Sequence, residues 1–134
     1  MSTFHLQIVT PDGLLFDGQA EKIIVRTIEG DVCILSGHLE YMSPVATGEA
    51  KITLEDGKVR LAACSGGLIS VRKDITRLVA DTFEWAENID VHRAKKAKEA
   101  AEAQLKDKAD FEYKLAELKL KRALVRIRVG ESLK

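Results

Sequence analysis

The sequence predicts an all-β domain, a sandwich or flattened barrel, followed by an antiparallel hairpin of two helices. Eight of the nine glycines and both prolines lie before residue 87, and Gly and Pro mark turns. Ala, Lys, Glu and Leu, which favour helices, dominate the residues that follow. Charged residues number 20 of 86 in the first part and 22 of 48 in the second. We therefore expect a β-sandwich domain at 1–86 and a helical hairpin domain at 87–134.

Alternating residues and turn residues predict the strands. Phe4, Leu6 and Ile8 alternate with more polar neighbours, which is the period of a half-buried strand. Asp56-Gly57 joins two such segments and is a strong hairpin signal. Ser65-Gly66-Gly67 is predicted to end a strand with a further turn. Similar segments at 21–28, 32–35, 50–55, 58–63, 68–71 and 75–80 complete a set of seven to ten short strands.

The two helices are predicted from caps and from periodicity. Asn88 or Asp90 can cap the first helix, and Asp110 can cap the second after a polar break at 106–109. Small residues at a spacing of three to four let the helices approach closely. In the first helix this stripe consists of Ala94, Ala97, Ala101 and Leu105.

The second helix carries two apolar stripes, although a simple surface hairpin needs only one. Either this helix packs between its partner and the β domain, or the hairpin can leave and bury one stripe in another protein. Periodicity leaves both interpretations open. One stripe consists of Phe111, Leu115, Leu118, Val125 and Val129, and the other of Tyr113, Leu120, Leu124 and Ile127.

Composition excludes several classes of protein. A 46% apolar fraction with zero net charge is untypical of a disordered chain. No apolar run approaches the ~20 residues of a membrane-spanning helix. Cys33 and Cys64 lie in separate apolar segments without a local Cys or His partner, so we expect reduced, buried thiols.

The sequence contains only weak signals for a catalytic or a nucleic-acid-binding function. The three histidines lie far apart, no metal-ligand spacing links them, and no nucleophile has a recognisable motif. The second part carries 13 basic residues, but 9 acidic ones are interleaved with them, which is typical of a solvated helix face. A nucleic-acid-binding or other β-sandwich interaction module remains the alternative to the interpretation below.

Short motifs in a fixed order identify a resemblance. The chain resembles the epsilon subunit of bacterial-type F-type ATP synthases over essentially its whole length. It departs from the family at Ser36, where a proline is usual, and at 32–35, where a Gly or Phe often interrupts. The motifs are Thr10-Pro11-Asp12-Gly13, Glu29-Gly30-Asp31, Ser36-Gly37-His38, Ser65-Gly66-Gly67, Ala80-Asp81-Thr82 and Ile89-Asp90-Val91-His92-Arg93-Ala94.

The resemblance implies a non-catalytic rotor subunit of the central stalk, which couples proton translocation to ATP synthesis. It implies a peripheral place on the cytoplasmic face of the cell membrane, without insertion, and no nucleic-acid partner. The family's sandwich binds the gamma subunit and the c-subunit ring. The matching contact residues here are Glu29, Gly30 and Asp31 in one loop and Gly37 and His38 in another.

The resemblance also implies that the hairpin is a regulatory element. In the family it lies folded on the sandwich or extends into the alpha/beta catalytic head, where it hinders ATP hydrolysis. Arg122, Arg126 and Arg128 lie near the end of the second helix. In the extended state they are expected to meet an acidic segment of a beta subunit.

The motif at the start of the first helix resembles the ATP-binding signature of some epsilon subunits. ATP would then be a regulatory ligand and no cofactor would be required; the need for Mg²⁺ is left open. Asp90 would accept from the adenine or ribose, and arginines would hold the phosphates, because guanidinium forks suit phosphate oxygens. The residues implied are Glu84, Ile89, Asp90, Arg93, Ala94, Arg122 and Arg126.

A purely structural interpretation of the same motif stays open. Asp90 would then be a helix cap, and Arg93 would pair with it or with Glu87. Ala100 also stands where some ATP-binding members have a further arginine.

Overall fold

The computed structural model describes residues 2–106 and 110–132, which form seven strands and a helical hairpin. Alternating inward and outward residues dominate the part before residue 86, and it is entirely β in its regular structure. The strands are β1 (Phe4–Thr10), β2 (Gly13–Thr27), β3 (Gly30–Leu35), β4 (Tyr41–Pro44), β5 (Gly48–Leu54), β6 (Val59–Val71) and β7 (Thr76–Trp85). A 3₁₀ turn (Ala86–Asn88), α1 (Val91–Leu105) and α2 (Asp110–Glu131) follow. The predicted fold class is confirmed.

Five of the strands close into a flattened barrel. The order is β1-β7-β6-β5-β2, and β1 pairs back with β2 to complete the ring. The β1–β7 pair is parallel, whereas every other pairing is antiparallel. β3 extends the sheet from β2, and β4 pairs with β6. Closure leaves few open sheet edges, which protects a small β domain against edge-to-edge association.

β6 differs from the predicted break at Ser65-Gly66-Gly67. The strand continues through these residues, and its pairing with β7 keeps one register on both sides. Gly66 and Gly67 have φ of +73° and +100°, which glycine adopts at little cost. A Cβ at Gly67 would lie 1.9 Å from the carbonyl oxygen of Val79. The glycines therefore let β7 approach closely.

Inward-facing side chains of all parts of the barrel form its core. The alternation predicted for Leu6 and Ile8 is observed, and both are fully buried. Trp85 closes one end of the core and makes edge-to-face contacts with Phe16 and Phe83. The largest fully buried side chains of the barrel are Leu6, Ile8, Ile23, Val25, Ile34, Ile52, Ile69 and Leu78.

One of the two thiols departs from the prediction. Cys64 is buried, but Cys33 is exposed, because alternation along β3 turns Ile34 inward and its neighbours outward. Burial and the nearby Asp81 charge raise the pKa of the Cys64 thiol to about 12. Both cysteines are free thiols.

The hairpin packs through small residues. Ala94 and Ala101 of α1 and Ala116 and Ala123 of α2 are buried, whereas Ala97 of the predicted stripe is exposed. Two heptad-spaced alanine pairs let the helices lie close together. The predicted Asp110 cap and the stripe member Phe111 lie outside the side chains that the structure describes.

The sandwich side of α2 supplies a second, smaller apolar cluster. Val129 and Val125 pack with Leu61, Ala63, Ala86 and Ile89. α2 thus lies between α1 and the sandwich, which is the first of the two predicted interpretations. Leu115 and Leu124 of the stripes nevertheless stay 47% and 44% exposed. The folded hairpin therefore leaves part of both apolar stripes in water.

Candidate functional site

A polar cavity of about 320 Å³ lies where the end of β7, the start of α1 and the side of α2 meet. It is within the size range of pockets that hold small ligands. Five of the seven predicted nucleotide-binding residues share this cavity. Its lining consists of Glu84, Asn88, Asp90, Arg93, Ala94, Ala97 and Arg126.

Asp90 begins α1 and is fixed by capping. Its backbone is extended, and its side chain accepts a 3.0 Å hydrogen bond from the backbone N–H of Arg93. This bond satisfies one of the free donors at a helix start. Capping uses one carboxylate oxygen, so the second oxygen of Asp90 remains able to accept from a ligand. The structural interpretation of the motif is compatible with the ligand-binding one.

Arg126 is held across the cavity by Glu84. Its Nε lies 3.3 Å from a carboxylate oxygen of Glu84, and both side chains are about one-third exposed. The pair joins α2 to β7. Arg93 at the start of α1 also lines the cavity, so two guanidinium groups border one small space. Such an arrangement favours an anion with several oxygens.

Two of the predicted nucleotide-binding residues lie outside this lining. Ile89 packs into the apolar cluster beneath α2. Arg122 lies one helical turn from Arg126, and its Nε donates a 2.9 Å hydrogen bond to Oγ of Ser65 on β6. Arg122 is therefore anchored to the sandwich next to the cavity.

Sequence reasoning missed a polar cluster at the root of the hairpin. The guanidinium carbon of Arg60 lies 3.6 Å from the Trp85 ring centre, and the same side chain pairs with Glu87 of the 3₁₀ turn. Burial is the largest influence on the Glu87 carboxyl and raises its pKa. The hydrogen bond from Arg60, a backbone hydrogen bond and the Arg60 charge together outweigh burial, so the pKa falls below its ordinary value. This cation–π contact joins an Arg and a Trp that are distant in sequence. No local motif therefore predicts it.

The two predicted partner-contact loops lie at opposite ends of one strand. Glu29, Gly30 and Asp31 form the turn that enters β3, and Gly37 and His38 follow its last residue. Six residues of strand separate the loops by roughly 20 Å. The strand predicted at 32–35 lies between the two loops and agrees with this separation.

Each end of β3 borders a distinct surface. Asp31 lines a cavity of about 380 Å³ together with Arg26 and the predicted contact residue Arg128. Gly37 and His38 line another of about 670 Å³, beside Leu39, which is 84% exposed. Arg128 thus shares a surface with one predicted loop, whereas Arg122 and Arg126 face the sandwich.

A second unpredicted pair lies near the His38 surface. His5 on β1 pairs with Asp17 on β2, and no local pattern in the sequence indicates this pair. The hydrogen bond with His5 lowers the pKa of the Asp17 carboxyl. The pair could not be predicted because the register between β1 and β2 is changed by a β-bulge at Ile8/Val9.

Within 2–106 and 110–132, no helix is long and apolar enough to cross a membrane. In the same part of the chain, no group of three or more His, Cys, Asp or Glu side chains is arranged to hold a metal ion.

Comparison with protein families divides the chain into two matches. Residues 3–86 match the model described as ATP synthase, Delta/Epsilon chain, beta-sandwich domain. Residues 87–131 match the model described as ATP synthase, Delta/Epsilon chain, long alpha-helix domain. The chain belongs to the ATP synthase delta/epsilon chain family. The resemblance read from the order of the motifs is confirmed.

Curated relatives of this family match nearly the full length. An ATP synthase epsilon chain of Exiguobacterium sp. is 39% identical over 133 residues, covering 98% of both chains. One from Ruminococcus albus is 41% identical, covering 97% of this chain and 98% of the relative. One from Alkaliphilus oremlandii is 47% identical over 104 residues, covering 78% of this chain and 77% of the relative.

A solved structure shares the fold of this ATP synthase family member. A chain in the structure of the Euglena gracilis mitochondrial ATP synthase, OSCP/F1/c-ring, superposes with a TM-score of 0.84 at 23% identity. The match covers all of this chain and 83% of that one. At this identity the likeness shows the fold.

Family membership decides the coarse function. Epsilon chains are components of the central stalk of ATP synthase, and the near-full-length matches place this chain among them. They are not themselves catalytic, so the prediction that the chain is not an enzyme is confirmed. The family match leaves the nucleic-acid-binding alternative without support.

Proposed function

We propose that the chain is a rotor subunit whose sandwich binds the gamma subunit and the c-subunit ring, and whose hairpin regulates ATP hydrolysis. In the folded state the hairpin lies on the sandwich; in the extended state it reaches the alpha/beta catalytic head and hinders hydrolysis. The subunit sits at the cytoplasmic face of the membrane as a peripheral part of the synthase. ATP binding in the polar cavity favours the folded state.

One observation carries the ATP-sensing part of this proposal. The cavity takes Glu84 from β7, Asp90 and Arg93 from the start of α1, and Arg126 from α2. It exists as a unit only when the hairpin lies on the sandwich. A ligand that binds there stabilises the folded state by mass action, because the extended state lacks the complete site. The phosphates lie between the two arginines, and the second Asp90 oxygen accepts from the base or the ribose.

Calorimetric titration of the full chain with ATP and then ADP tests this proposal. We expect saturable ATP binding that is tighter than ADP binding. Arg93→Ala and Arg126→Ala should each weaken it by about tenfold or more, since each loses charge-assisted hydrogen bonds to phosphate. Arg128→Ala is the matched control, because Arg128 lies on the same helix but lines other cavities. An absence of saturation at millimolar ATP would reject ATP sensing and leave the rotor role in place.

The partner-binding part rests on exposed apolar residues beside the predicted contact loops. Leu39, next to His38, is 84% exposed, and Ile28, next to Glu29, is 76% exposed. Exposed apolar side chains rimmed by polar ones mark interaction surfaces. Leu39→Asp should weaken association with the gamma subunit and c-ring in a reconstitution assay. Leu14→Asp is the control, since Leu14 is also exposed but lies at the β1–β2 turn. Equal loss in both variants would contradict the assigned surface.

A further inference from the structure

Ser65 lies at the junction of the sandwich and the hairpin, and its position is unusual for a polar side chain. The residue is 3% exposed, in the middle of β6. Its Oγ is 2.7 Å from Oγ1 of Thr47, in the connection before β5. The same oxygen accepts a 2.9 Å hydrogen bond from Nε of Arg122 on α2. Three elements that are distant in sequence therefore meet at one buried hydroxyl.

One of the two hydrogen-bond directions at Ser65 is determined. A guanidinium N–H can only donate, so Ser65 accepts from Arg122. The Ser65 hydroxyl hydrogen is then available to donate to Thr47. The resulting chain runs from Arg122 through Ser65 to Thr47, and it satisfies the buried serine on both sides. A buried hydroxyl that lost one of these partners would be costly.

Anchoring through Nε also orients the guanidinium group. Arg122 and Arg126 are four residues apart on α2, and each is bound to the sandwich through Nε, by Ser65 and by Glu84 respectively. In both side chains the anchoring contact is made by Nε. The Nε anchor uses one of the five N–H donors of each guanidinium group, and the remaining donors can bind phosphate oxygens.

We propose that Ser65 is a positioning residue: its buried hydroxyl fixes the Arg122 guanidinium, which holds the hairpin on the sandwich and presents Arg122 to an anion beside the cavity. This inference rests on the proposed hairpin switch and names a residue that regulates it. The hydrogen bond from Arg122 Nε to Ser65 is present in the ligand-free protein and does not require a nucleotide.

Hydrogen exchange of the ligand-free full chain tests the anchor through a double-mutant cycle. Amide protection along 113–131 is measured in the wild type, Ser65→Ala, Arg122→Ala and the double variant. Each single change should increase opening of α2 by about tenfold, the effect of losing one hydrogen bond to a charged group. Because the two side chains form one interaction, the double variant should open no more than the more affected single variant.

Three further measurements separate this interaction from general destabilisation. Ser70→Ala removes a hydroxyl from the same strand outside the junction, and it should leave protection unchanged. Arg122→Lys keeps the charge but lacks the planar fork, so it should behave as Arg122→Ala does. Protection of barrel amides in β1 and β7 should stay at the wild-type level in every variant.

Two results would overturn the inference. If the double variant opened by the product of the two single effects, Ser65 and Arg122 would act independently. If Arg122→Lys protected α2 as the wild type does, charge and not the anchored fork would hold the helix. Both results are obtained without nucleotide, so they are independent of the ATP titration, whose failure would reject the sensing function alone.

Discussion

At the scale of single residues, environment gives chemically identical groups different properties. The two thiols of this chain lie in the same β domain, yet Cys33 is exposed and Cys64 is buried with a pKa of about 12. The thiolate is the reactive form, so a raised pKa and burial both protect Cys64.

Thiol titration checks this difference. In the native protein at about pH 8, one of the two cysteines should react with a chromogenic disulfide reagent, because Cys33 is exposed. The second thiol should react only after unfolding in guanidinium chloride. Cys33→Ser should abolish the fast reaction. Two thiols reacting at similar rates in the native protein would contradict the assigned burial.

The Arg60 cluster leads to a second prediction at this scale. The sequence contains a single tryptophan, Trp85, and Arg60 covers its ring while pairing with Glu87. Arg60→Ala should shift the fluorescence of Trp85 and destabilise the protein by about 1 kcal/mol, through lost cation–π contact. Emission spectra and urea unfolding measure both effects.

Arg77→Ala is the matched control for this change. Arg77 also projects from a strand, but it hydrogen-bonds Gln7 and lies away from the tryptophan. Its replacement should leave the emission spectrum of Trp85 as in the wild type. An unchanged spectrum in Arg60→Ala would contradict the contact.

At the scale of secondary-structure elements, local signals predicted most of the fold, and pairing information was missing. The Asp56-Gly57 hairpin and the Asp90 cap follow from neighbouring residues alone, and both are observed. β4 was missed because four residues give no period. The break predicted at Ser65-Gly66-Gly67 is a continuous strand, since β7 supplies hydrogen bonds that the sequence of β6 does not contain.

The candidate site divides in the same way. The residues of one local motif, Asp90 to Ala94, were found from sequence, and the family resemblance added Glu84 and Arg126. Ser65, Arg60 and the His5–Asp17 pair were not found. Each of these owes its position to tertiary contact between segments that lie 12 to 57 residues apart, and one sequence carries no direct record of such contacts.

The contact between the ends of the two helices depends on the one glycine of α2. A Cβ at Gly130 would lie 2.6 Å from Cγ2 of Val91 and 3.1 Å from Cγ2 of Ile89. Gly130→Leu should therefore separate α2 from the start of α1, at a cost of about 2 kcal/mol in hairpin docking. Hydrogen exchange of α2 amides measures the loss.

The control for this change adds the same side chain at an exposed site. Ala103 lies on the exposed face of α1, so Ala103→Leu should leave exchange of α2 close to the wild-type rate. Equal protection in Gly130→Leu and the wild type would mean that the helix ends adjust without cost.

At the scale of the whole molecule, the two parts differ in how they are stabilised. Among the residues that the structure describes, the buried core of the barrel comes from Leu6 to Trp85, and Phe4 packs against it. The hairpin adds a small apolar cluster around Val129, ion pairs such as Arg126–Glu84, and the Arg122–Ser65 hydrogen bond. A closed barrel with its own core is expected to fold without the hairpin, whereas the helices depend on tertiary packing for most of their stability.

Removal of residues 87–134 tests this division. The shortened chain should keep a cooperative thermal transition and the near-ultraviolet dichroism of Trp85, because the core residues remain. On the proposed function, it should still bind the gamma subunit and inhibit ATP hydrolysis less than the full chain. Unfolding of the shortened chain would show that α2 is part of the core. Undiminished inhibition would contradict the regulatory role of the hairpin.

The parallel pairing of β1 with β7 sets an order of events during synthesis. β1 can pair with β2 early, but its second partner is Thr76–Val79 of β7, so the ring closes only after these residues have left the ribosome. Residues 87–134 are translated in roughly 2 to 10 s at typical rates. That interval gives the barrel time to close before the hairpin is complete. The surface that receives α2 is then already formed when α2 emerges, so the nascent helices can pack directly on the folded barrel.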